Sequence, residues 1–118
     1  MTQKINDTFV VNAGGHVVYL ARIKGADGAN ITQATISSIS RAITDKVTGT
    51  VTTDTPVVAD TVFDTLQTDT NLWAQTYNFL DELVSTKVPL RRRYTLQYTF
   101  TASGGEVFKT REIDLEGD

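Results

Sequence analysis

The stretch PLRRRYTLQYTFTASGG, residues 89–105, has the clearest strand pattern in the chain. After three consecutive arginines, an aromatic or leucine side chain occupies every second position. Successive side chains of a strand point to opposite faces of a sheet, so one face is formed by Tyr94, Leu96, Tyr98 and Phe100. Threonines and a glutamine occupy the other face, and the segment ASGG then turns the chain. The stretch therefore predicts the first strand and the turn of a β-hairpin.

The return strand of this hairpin needs an irregularity. Phe108 has one parity in the sequence, whereas Ile113 and Leu115 have the other. One extra residue in a strand, a β-bulge, changes the face to which the following side chains point. We therefore predict one bulge between Phe108 and Ile113, which brings all three side chains to the core.

Similar patterns precede the hairpin. Short alternating segments end at turns that contain glycine, such as Asp27-Gly28 and Thr48-Gly49. In the segment 31–45 the isoleucines fit both a helix and a strand, and the serines and threonines favour the strand. The predicted strands are Asp7–Ala13, His16–Lys24, about Ser37 to Asp45, and Thr50–Thr53.

The segment between Asp60 and Lys87 has two interpretations. A helix over 72–84 would have Trp73 and Tyr77 on its apolar face. The alternative is a strand that follows a loop carrying Trp73, with alternating residues Tyr77, Phe79, Asp81 and Leu83. Periodicity slightly favours the helix, so we expect one short helix between residues 60 and 87 or, failing that, a further strand.

Composition agrees with an all-β domain. The chain has 118 residues, enough for one hydrophobic core and too few for two, so residues 1–118 are predicted to form a single domain. Threonine supplies 20 of these residues, and β-branched side chains suit strands better than helices. Short strands separated by glycine turns predict a β-sandwich or barrel.

Charge and residue usage exclude several classes of function. The net charge of −3 argues against nucleic acid as a partner, because domains that bind it are usually basic. The absence of cysteine excludes disulfides and thiolate metal sites. The first residues, MTQKIND, lack the apolar stretch of a signal peptide, and no apolar run is long enough to span a membrane. We expect a soluble protein that is intracellular when it is made.

No catalytic motif stands out in the sequence. His16 is the only histidine, so a histidine metal cluster is excluded and a Ser-His-Asp triad lacks a convincing set of residues. The glycine pairs lack the surrounding pattern of a phosphate-binding loop. We predict no enzymatic activity, no cofactor, no metal ion, no membrane association and no small-molecule substrate.

A run of carboxylates leaves one alternative open. No basic residue lies between Lys46 and Lys87, whereas acidic residues recur there. Asp60, Asp64 and Asp69 with backbone carbonyls would suit a calcium ion, since hard cations take clustered oxygens. Aspartates are also common in solvated turns, and an acidic contact surface is the third interpretation.

Trp73 and Tyr77 are candidate contact residues. A single tryptophan in a small sandwich is more often a core or interface anchor than a ligand platform. The alternative is a carbohydrate- or receptor-binding module in which Trp73 and Tyr77 form the site.

The arginines have three interpretations. If Tyr94 faces inward, alternation places Arg92 inward and Arg91 and Arg93 outward. The run is then a charged strand entrance that deters edge pairing, a phosphate contact, or a patch that binds carboxylates of a neighbouring subunit. Arginine suits the last of these because its rigid fork binds carboxylates with two hydrogen bonds.

Four segments resemble small immunoglobulin-like domains of tailed-phage structural proteins, typified by the N-terminal domain of upper-baseplate (BppU-like) proteins and by short virion-module proteins. The segments are RIKGADGANITQATISSISRAITD (22–45), VFDTLQTDTNLW (62–73), YNF (77–79) and RRYTLQYTFTASGGEVF (92–108). The resemblance covers most of the chain. It implies an immunoglobulin-like antiparallel β-sandwich and a role in a virion or its assembly.

These observations lead to one expectation about function. We expect a non-enzymatic structural protein of a tailed phage, located in the virion as a head decoration or as a tail, baseplate or connector component. Its partners would be other virion proteins and copies of itself, reached through exposed aromatic and threonine-rich strand surfaces. The candidate interface residues are Arg91, Arg92, Arg93, Trp73, Tyr77, Asp64 and Asp69.

Overall fold

The computed structural model describes residues 9–11, 16–25, 27–69, 75–84, 87–88, 90, 92–110 and 112–117. Within them the chain forms nine β-strands and one short helix. The strands are β1 (Phe9–Val11), β2 (His16–Ala21), β3 (Ile36–Asp45), β4 (Val51–Asp54), β5 (Val62–Asp69), β6 (Gln75–Val84), β7 (Arg93–Ala102), β8 (Val107–Lys109) and β9 (Ile113–Gly117). The helix is α1 (Val58–Thr61).

The strands form two sheets. Sheet A has the order β1-β9-β7-β3-β4, with β8 also paired to β7, and sheet B has the order β2-β6-β5. All pairs are antiparallel except β1 with β9. This is the all-β arrangement that the sequence predicts.

The two sheets face each other across one hydrophobic core. Alternate residues of β7 point inward, and β6 supplies their neighbours from the opposite sheet. The ring of Phe79 lies 4.9 Å from that of Tyr98 and 5.2 Å from that of Phe100, and Tyr19 lies 5.1 Å from Tyr98. Aromatic rings from both sheets therefore form the centre of a β-sandwich.

The immunoglobulin-like form of this sandwich stays a prediction, and two features support it. The sheets oppose β2-β6-β5 to β9-β7-β3, which is the arrangement of strands B-E-D and G-F-C in immunoglobulin domains. The hydroxyl of Tyr94, near the start of β7, accepts a hydrogen bond from Leu90 N at 3.0 Å. A tyrosine at this corner that bonds to backbone a few residues upstream is a hallmark of such domains.

The predicted hairpin and its bulge are confirmed. Strand β7 places its aromatic and leucine side chains inward, and Gly105 in the following turn has a φ of 96°. Thr99 pairs with Lys109, whereas Leu96 pairs with Ile113, so the return strand contains one extra residue. Thr110 Oγ1 accepts a hydrogen bond from Tyr98 N at 3.0 Å beside this irregularity. Phe108 is half-buried and Ile113 buried on the core side.

The upstream strands follow the prediction with shifted ends. Strand β3 begins one residue early, β4 spans residues 51–54, and β2 ends at Ala21. Of the predicted strand Asp7–Ala13, residues 9–11 form β1, and the others lie outside the described part. Gly49, in the predicted turn between β3 and β4, has a φ of 77°, a left-handed conformation that glycine adopts readily.

Of the two interpretations of the segment 72–84, the structure shows the strand. Residues 75–84 form strand β6, and the one short helix of the described residues, α1, lies at Val58–Thr61 and overlaps the start of the segment 60–87. Residues 62–69, which the sequence left as a connection, form strand β5. The helical spacing of the apolar residues was misleading because Asp81 interrupts the alternation of apolar residues along β6. This aspartate is nevertheless buried between the sheets.

Candidate functional site

Two residues of the arginine run, Arg92 and Arg93, lie at the end of the sandwich where β7 begins. Arg92 is half-buried and Arg93 is exposed, as alternation predicts, and Arg91 lies outside the described residues. Arg92 Nε is 3.2 Å from Asp45 Oδ2. Asp45 ends β3 and is the register partner of Tyr94, so two neighbouring strands bring this ion pair together. The charge of Arg92 therefore has a carboxylate partner within its own chain.

Arg92 lines a surface cleft of about 300 Å³ together with Lys87 and threonines of the β3–β4 turn. Lys87 Nζ lies 2.9 Å from Asp54 Oδ2, so both cations of this cleft have an intramolecular carboxylate. Beside the cleft, Lys46 Nζ lies 3.8 Å from Asp114 Oδ1. Positive and negative groups therefore alternate at this end of the molecule, within its described residues.

Backbone packing holds the segment that carries these arginines. Gly117 N donates a hydrogen bond to Arg92 O at 2.9 Å. A Cβ atom at Gly117 would lie 2.8 Å from Val88 O and closer still to Leu90 O, so only glycine fits without movement of the backbone. The backbone at Arg92 is thus held against the end of β9.

Arg93 is the described arginine of the run that remains open to a partner. It points outward, and its register partner on β9 is Glu116. Of the two predicted interface carboxylates, Asp64 Oδ1 accepts a hydrogen bond from Gln33 N at 2.7 Å, and Asp69 is half-buried at the end of β5. An intersubunit salt bridge of the arginines stays a prediction.

Tyr77 packs within its own sheet. Its half-buried ring meets Phe63 of β5 edge to face, with 5.7 Å between the ring centres and 85° between the planes. Trp73 lies outside the described residues. A stacking platform formed by Trp73 and Tyr77 therefore also stays a prediction.

The structure does not bring the candidate calcium ligands together. Asp60 is in helix α1, whereas Asp64 and Asp69 are on β5, where Asp64 joins this strand to the β2–β3 connection through Gln33. Gln33 Nε2 strengthens the same junction by donating to Val62 O at 2.9 Å. Among the described residues, no group of three histidine, cysteine, aspartate or glutamate side chains could hold a metal ion.

Sequence reasoning missed a charged network between the two sheets. Arg41 of β3 donates two hydrogen bonds to Asp54 of β4, Nε to Oδ1 at 2.8 Å and Nη2 to Oδ2 at 2.5 Å. Its Nη1 donates to Asp81 Oδ2 of β6 at 2.5 Å, and the hydroxyl of Tyr98 donates to the same oxygen. Lys87 pairs with Asp54, so the two cations and two carboxylates of the network balance.

Register explains how this network forms. Arg41 is the register partner of Asp54 on one side and of Tyr98 on the other, so all three side chains point inward from sheet A. Asp81 meets them from sheet B. A signal for the network existed in the sequence, since Arg41 lies between Ile39 and Ile43 on the apolar face of the predicted strand. Its partners could not be identified, because Asp81 is 40 residues away.

Burial and charge shift the titration of this network. Burial alone would lower the pKa of Arg41, but its hydrogen bonds and charge interactions with Asp54 and Asp81 raise it overall. Burial would raise the pKa of Asp54, and the hydrogen bonds from Arg41 and Lys87 outweigh it and lower that pKa. Burial and the nearby charge of Asp81 raise the pKa of Tyr98 well above its ordinary value. Each shift favours the charged pair and the neutral phenol at pH 7.

The outer face of sheet A differs from the rest of the surface. Apart from Arg93 at the start of β7, the side chains that three adjacent strands place there carry no formal charge, and most are small and hydroxylated. They are Ser38, Ser40, Ala42 and Thr44 of β3, Val51 and Thr53 of β4, and Thr95, Gln97, Thr99 and Thr101 of β7. Register pairs such as Ser40 with Thr99 place them in rows across the sheet. We refer to these ten residues as the hydroxyl face.

The rim of the hydroxyl face carries apolar and charged groups. Val51 is 55% exposed at one edge, and Val107 of β8, the register partner of Thr101, is 60% exposed at the other. Lys109 and the pair Arg93 and Glu116 lie on the same side of the sheet. A charge-free centre is therefore bordered by exposed valines and by charges of both signs.

In comparisons with known proteins, no family model, curated protein or solved structure matches this chain. None of the helices in the described residues has the length and apolarity needed to cross a membrane.

Proposed function

We propose that this protein is a non-enzymatic assembly module that binds other proteins through the hydroxyl face. The observation that carries the proposal is the lack of formal charge on this face, in a chain where 21% of the residues are charged. Charged residues are depleted at the centres of protein interfaces, whereas the rims are polar and solvent-accessible. The exposed valines and the charges at the edge of the face fit such a rim.

The side chains of the hydroxyl face favour docking at low entropic cost. Serine and threonine have few rotamers to lose, whereas each immobilised long side chain costs about 0.5–1.5 kcal/mol on association. Their hydroxyls both donate and accept hydrogen bonds, so they can meet either kind of group on a partner. Small side chains in rows also leave the sheet open to close approach by a second flat surface.

A virion of a tailed phage is the setting that we propose for this module. The resemblance of residues 22–45, 62–73, 77–79 and 92–108 to phage structural domains supports it. The partners would be copies of this chain and other virion proteins, in a head decoration or in a tail, baseplate or connector part. Arg93, at the rim of the face, is then placed to meet a carboxylate of a neighbour.

The test introduces a charge at Thr99, which lies in the hydroxyl face between Ser40 of β3 and Lys109 of β8. Thr99→Arg should weaken self-association at least tenfold in sedimentation velocity over a range of protein concentrations, because it buries an unpaired charge in the interface. Thr65→Arg, on an exposed position of β5, is the matched control and should associate like the wild type. In particles assembled with phage components, Thr99→Arg should be incorporated less than Thr65→Arg.

Two results would contradict this proposal. One is equal association of Thr99→Arg and Thr65→Arg, which would place the contact surface elsewhere. The other is a pair of findings: the wild-type protein stays monomeric, and the Thr99→Arg variant is incorporated into particles normally. Thermal melts of both variants show whether each is folded, since neither substitution touches the core.

A further inference from the structure

The opposite end of the sandwich contains a second cleft. Its walls are formed by residues 25 and 27–35 of the β2–β3 connection and by the turn between β7 and β8, residues 102–106, and its volume is about 350 Å³. This end is remote from the arginine run, because β7 begins at one end of the sheet and reaches the turn at the other. The size lies within the range of small-ligand pockets.

Hydrogen bonds between the two walls give the cleft its shape. Ser103 N donates to Thr35 O at 2.9 Å, and Ser103 Oγ donates to Ala34 O at 2.8 Å. Within the first wall, Gly25 N bonds to Ala29 O at 2.9 Å, and Asp27 Oδ1 accepts from Ala29 N at 3.0 Å. The walls are thus joined before any ligand arrives, which lowers the entropic cost of binding.

The lining combines an apolar floor with two carboxylates. Ile31 and Ile36 are buried, and the half-buried ring of Phe108 stacks on Phe100 at 5.3 Å. Asp27 and Glu106 supply the carboxylates, and the lining contains no lysine, arginine or histidine among the described residues. Two basic residues border this lining: Arg22 Nε lies 3.5 Å from Asn30 Oδ1, and Lys24 is the bridge partner of Asn30.

We propose that this cleft binds the side chain of a lysine or arginine from a protein partner. The apolar floor fits the hydrocarbon stem of such a side chain, and the carboxylates of Asp27 and Glu106 fit its charged end. The ring of Phe108 adds the attraction of an aromatic face for a cation. The site is separate from the hydroxyl face, so it can bind whether or not that face does.

The experiment follows backbone amide shifts of the full chain by NMR as N-acetyl-lysine-N-methylamide is added. Saturable shifts should centre on Asp27, Asn30, Ser103, Gly104 and Phe108, with a dissociation constant of about 1 mM for a probe of this size. The norleucine analogue, which has the same stem without the charge, should bind at least tenfold more weakly. Equal binding of the two probes would overturn the proposal, as would an absence of shifts at this cleft.

Charge-removing variants assign the binding to its residues. Glu106→Gln and Asp27→Asn should each weaken the lysine probe about three- to tenfold, since each removes one of the two charges. Asparagine keeps a side-chain oxygen that can accept from Ala29 N, so the wall should keep its shape. Glu116→Gln, at the other end of the molecule, is the matched control and should bind like the wild type. Equal weakening by the control, or none by the cleft variants, would contradict the assignment.

Discussion

Arg41 and Arg92 each face an aspartate, but they do so in very different surroundings. The side chain of Arg41 is 9% exposed, lies between the two sheets and donates to both Asp54 and Asp81. The side chain of Arg92 is 27% exposed, and its buried Nε makes no hydrogen bond among the described residues, although Asp45 is 3.2 Å away. The first arginine has hydrogen bonds to two carboxylates, and the second has a partly exposed ion pair without a hydrogen bond.

This difference teaches where a charge contributes to stability. A buried charge has lost its water, so its partners must replace every interaction with solvent. A partly exposed charge keeps much of its hydration, and salt screens its pairing. The arginine run is prominent in the sequence, yet Arg41 is the arginine whose removal should disturb the fold.

The largest effect should come from Arg41→Met. The substitution leaves the buried carboxylate of Asp81 without its cation, and loss of one partner of a buried pair costs about 3–5 kcal/mol. Urea denaturation at pH 7 measures the change in the free energy of unfolding. A loss below about 1 kcal/mol would mean that water or Lys87 compensates Asp81 and Asp54, and would remove the distinction from Arg92.

A second variant separates the charge from the packing. Arg41→Met combined with Asp81→Leu and Tyr98→Phe removes both members of the buried pair and the hydroxyl that donates to Asp81, and an apolar replacement of similar volume is often close to neutral. The triple variant should therefore recover most of the stability that Arg41→Met loses. Failure to recover would assign the loss to the shape of the arginine side chain and not to the uncompensated carboxylate.

The extent to which the sequence predicts the fold depends on how local the signals are. Strand β7, its turn and the bulge after Phe108 follow from alternation alone, because each depends on residues close together in the chain. The outward direction of Arg93 follows from the same rule. In β6, the buried Asp81 breaks the apolar pattern, and its burial depends on Arg41 from a distant strand. No local rule identifies that partner.

The same reasoning applies to the candidate sites. Threonine-rich strand surfaces were expected as contact surfaces, and alternation alone places the threonines of β7 on one face. That these threonines form one face with residues of β3 and β4 can be seen only from the strand order and register of sheet A. The cleft between residues 27–35 and 102–106 is formed by two connections that are about 75 positions apart in the chain. The residue types of a turn do not predict which other turn it will contact.

A smaller effect should appear at alkaline pH. The pKa of Tyr98 is raised by burial and by Asp81, and burial raises the pKa of Tyr19 to about 12, from an ordinary value of 10.0. Above pH 10 the unfolded chain loses these protons and the folded chain keeps them, so stability is complete below pH 10 and falls as pH rises. Each tyrosine should contribute about 1.4 kcal/mol per pH unit in this range.

Tyr98→Phe tests this slope and joins it to the buried network. The variant loses the hydrogen bond to Asp81, which should lower stability at pH 7 by about 1 kcal/mol. It also has one tyrosine fewer to titrate, so its stability should fall less steeply than that of the wild type above pH 10. Tyr19→Phe is the comparison variant, because no hydrogen bond among the described residues joins the hydroxyl of Tyr19 to the buried network. Parallel curves for wild type and Tyr98→Phe would contradict the predicted shift.

The smallest effect should come from Arg92→Gln, which removes the cation of the partly exposed pair with Asp45. Asp45 keeps hydrogen bonds from Val47 N at 2.9 Å and Thr48 N at 3.3 Å, so it is not left unpaired. We expect a change below about 1 kcal/mol in low salt, and a smaller one in high salt, because the remaining attraction is screened. Urea denaturation at two salt concentrations measures both. A loss as large as that of Arg41→Met, unchanged by salt, would show that the Arg92 pair behaves as a buried one.

Because the segment is held by contacts of its backbone with Gly117, we expect the cleft at this end to keep its shape in the variant.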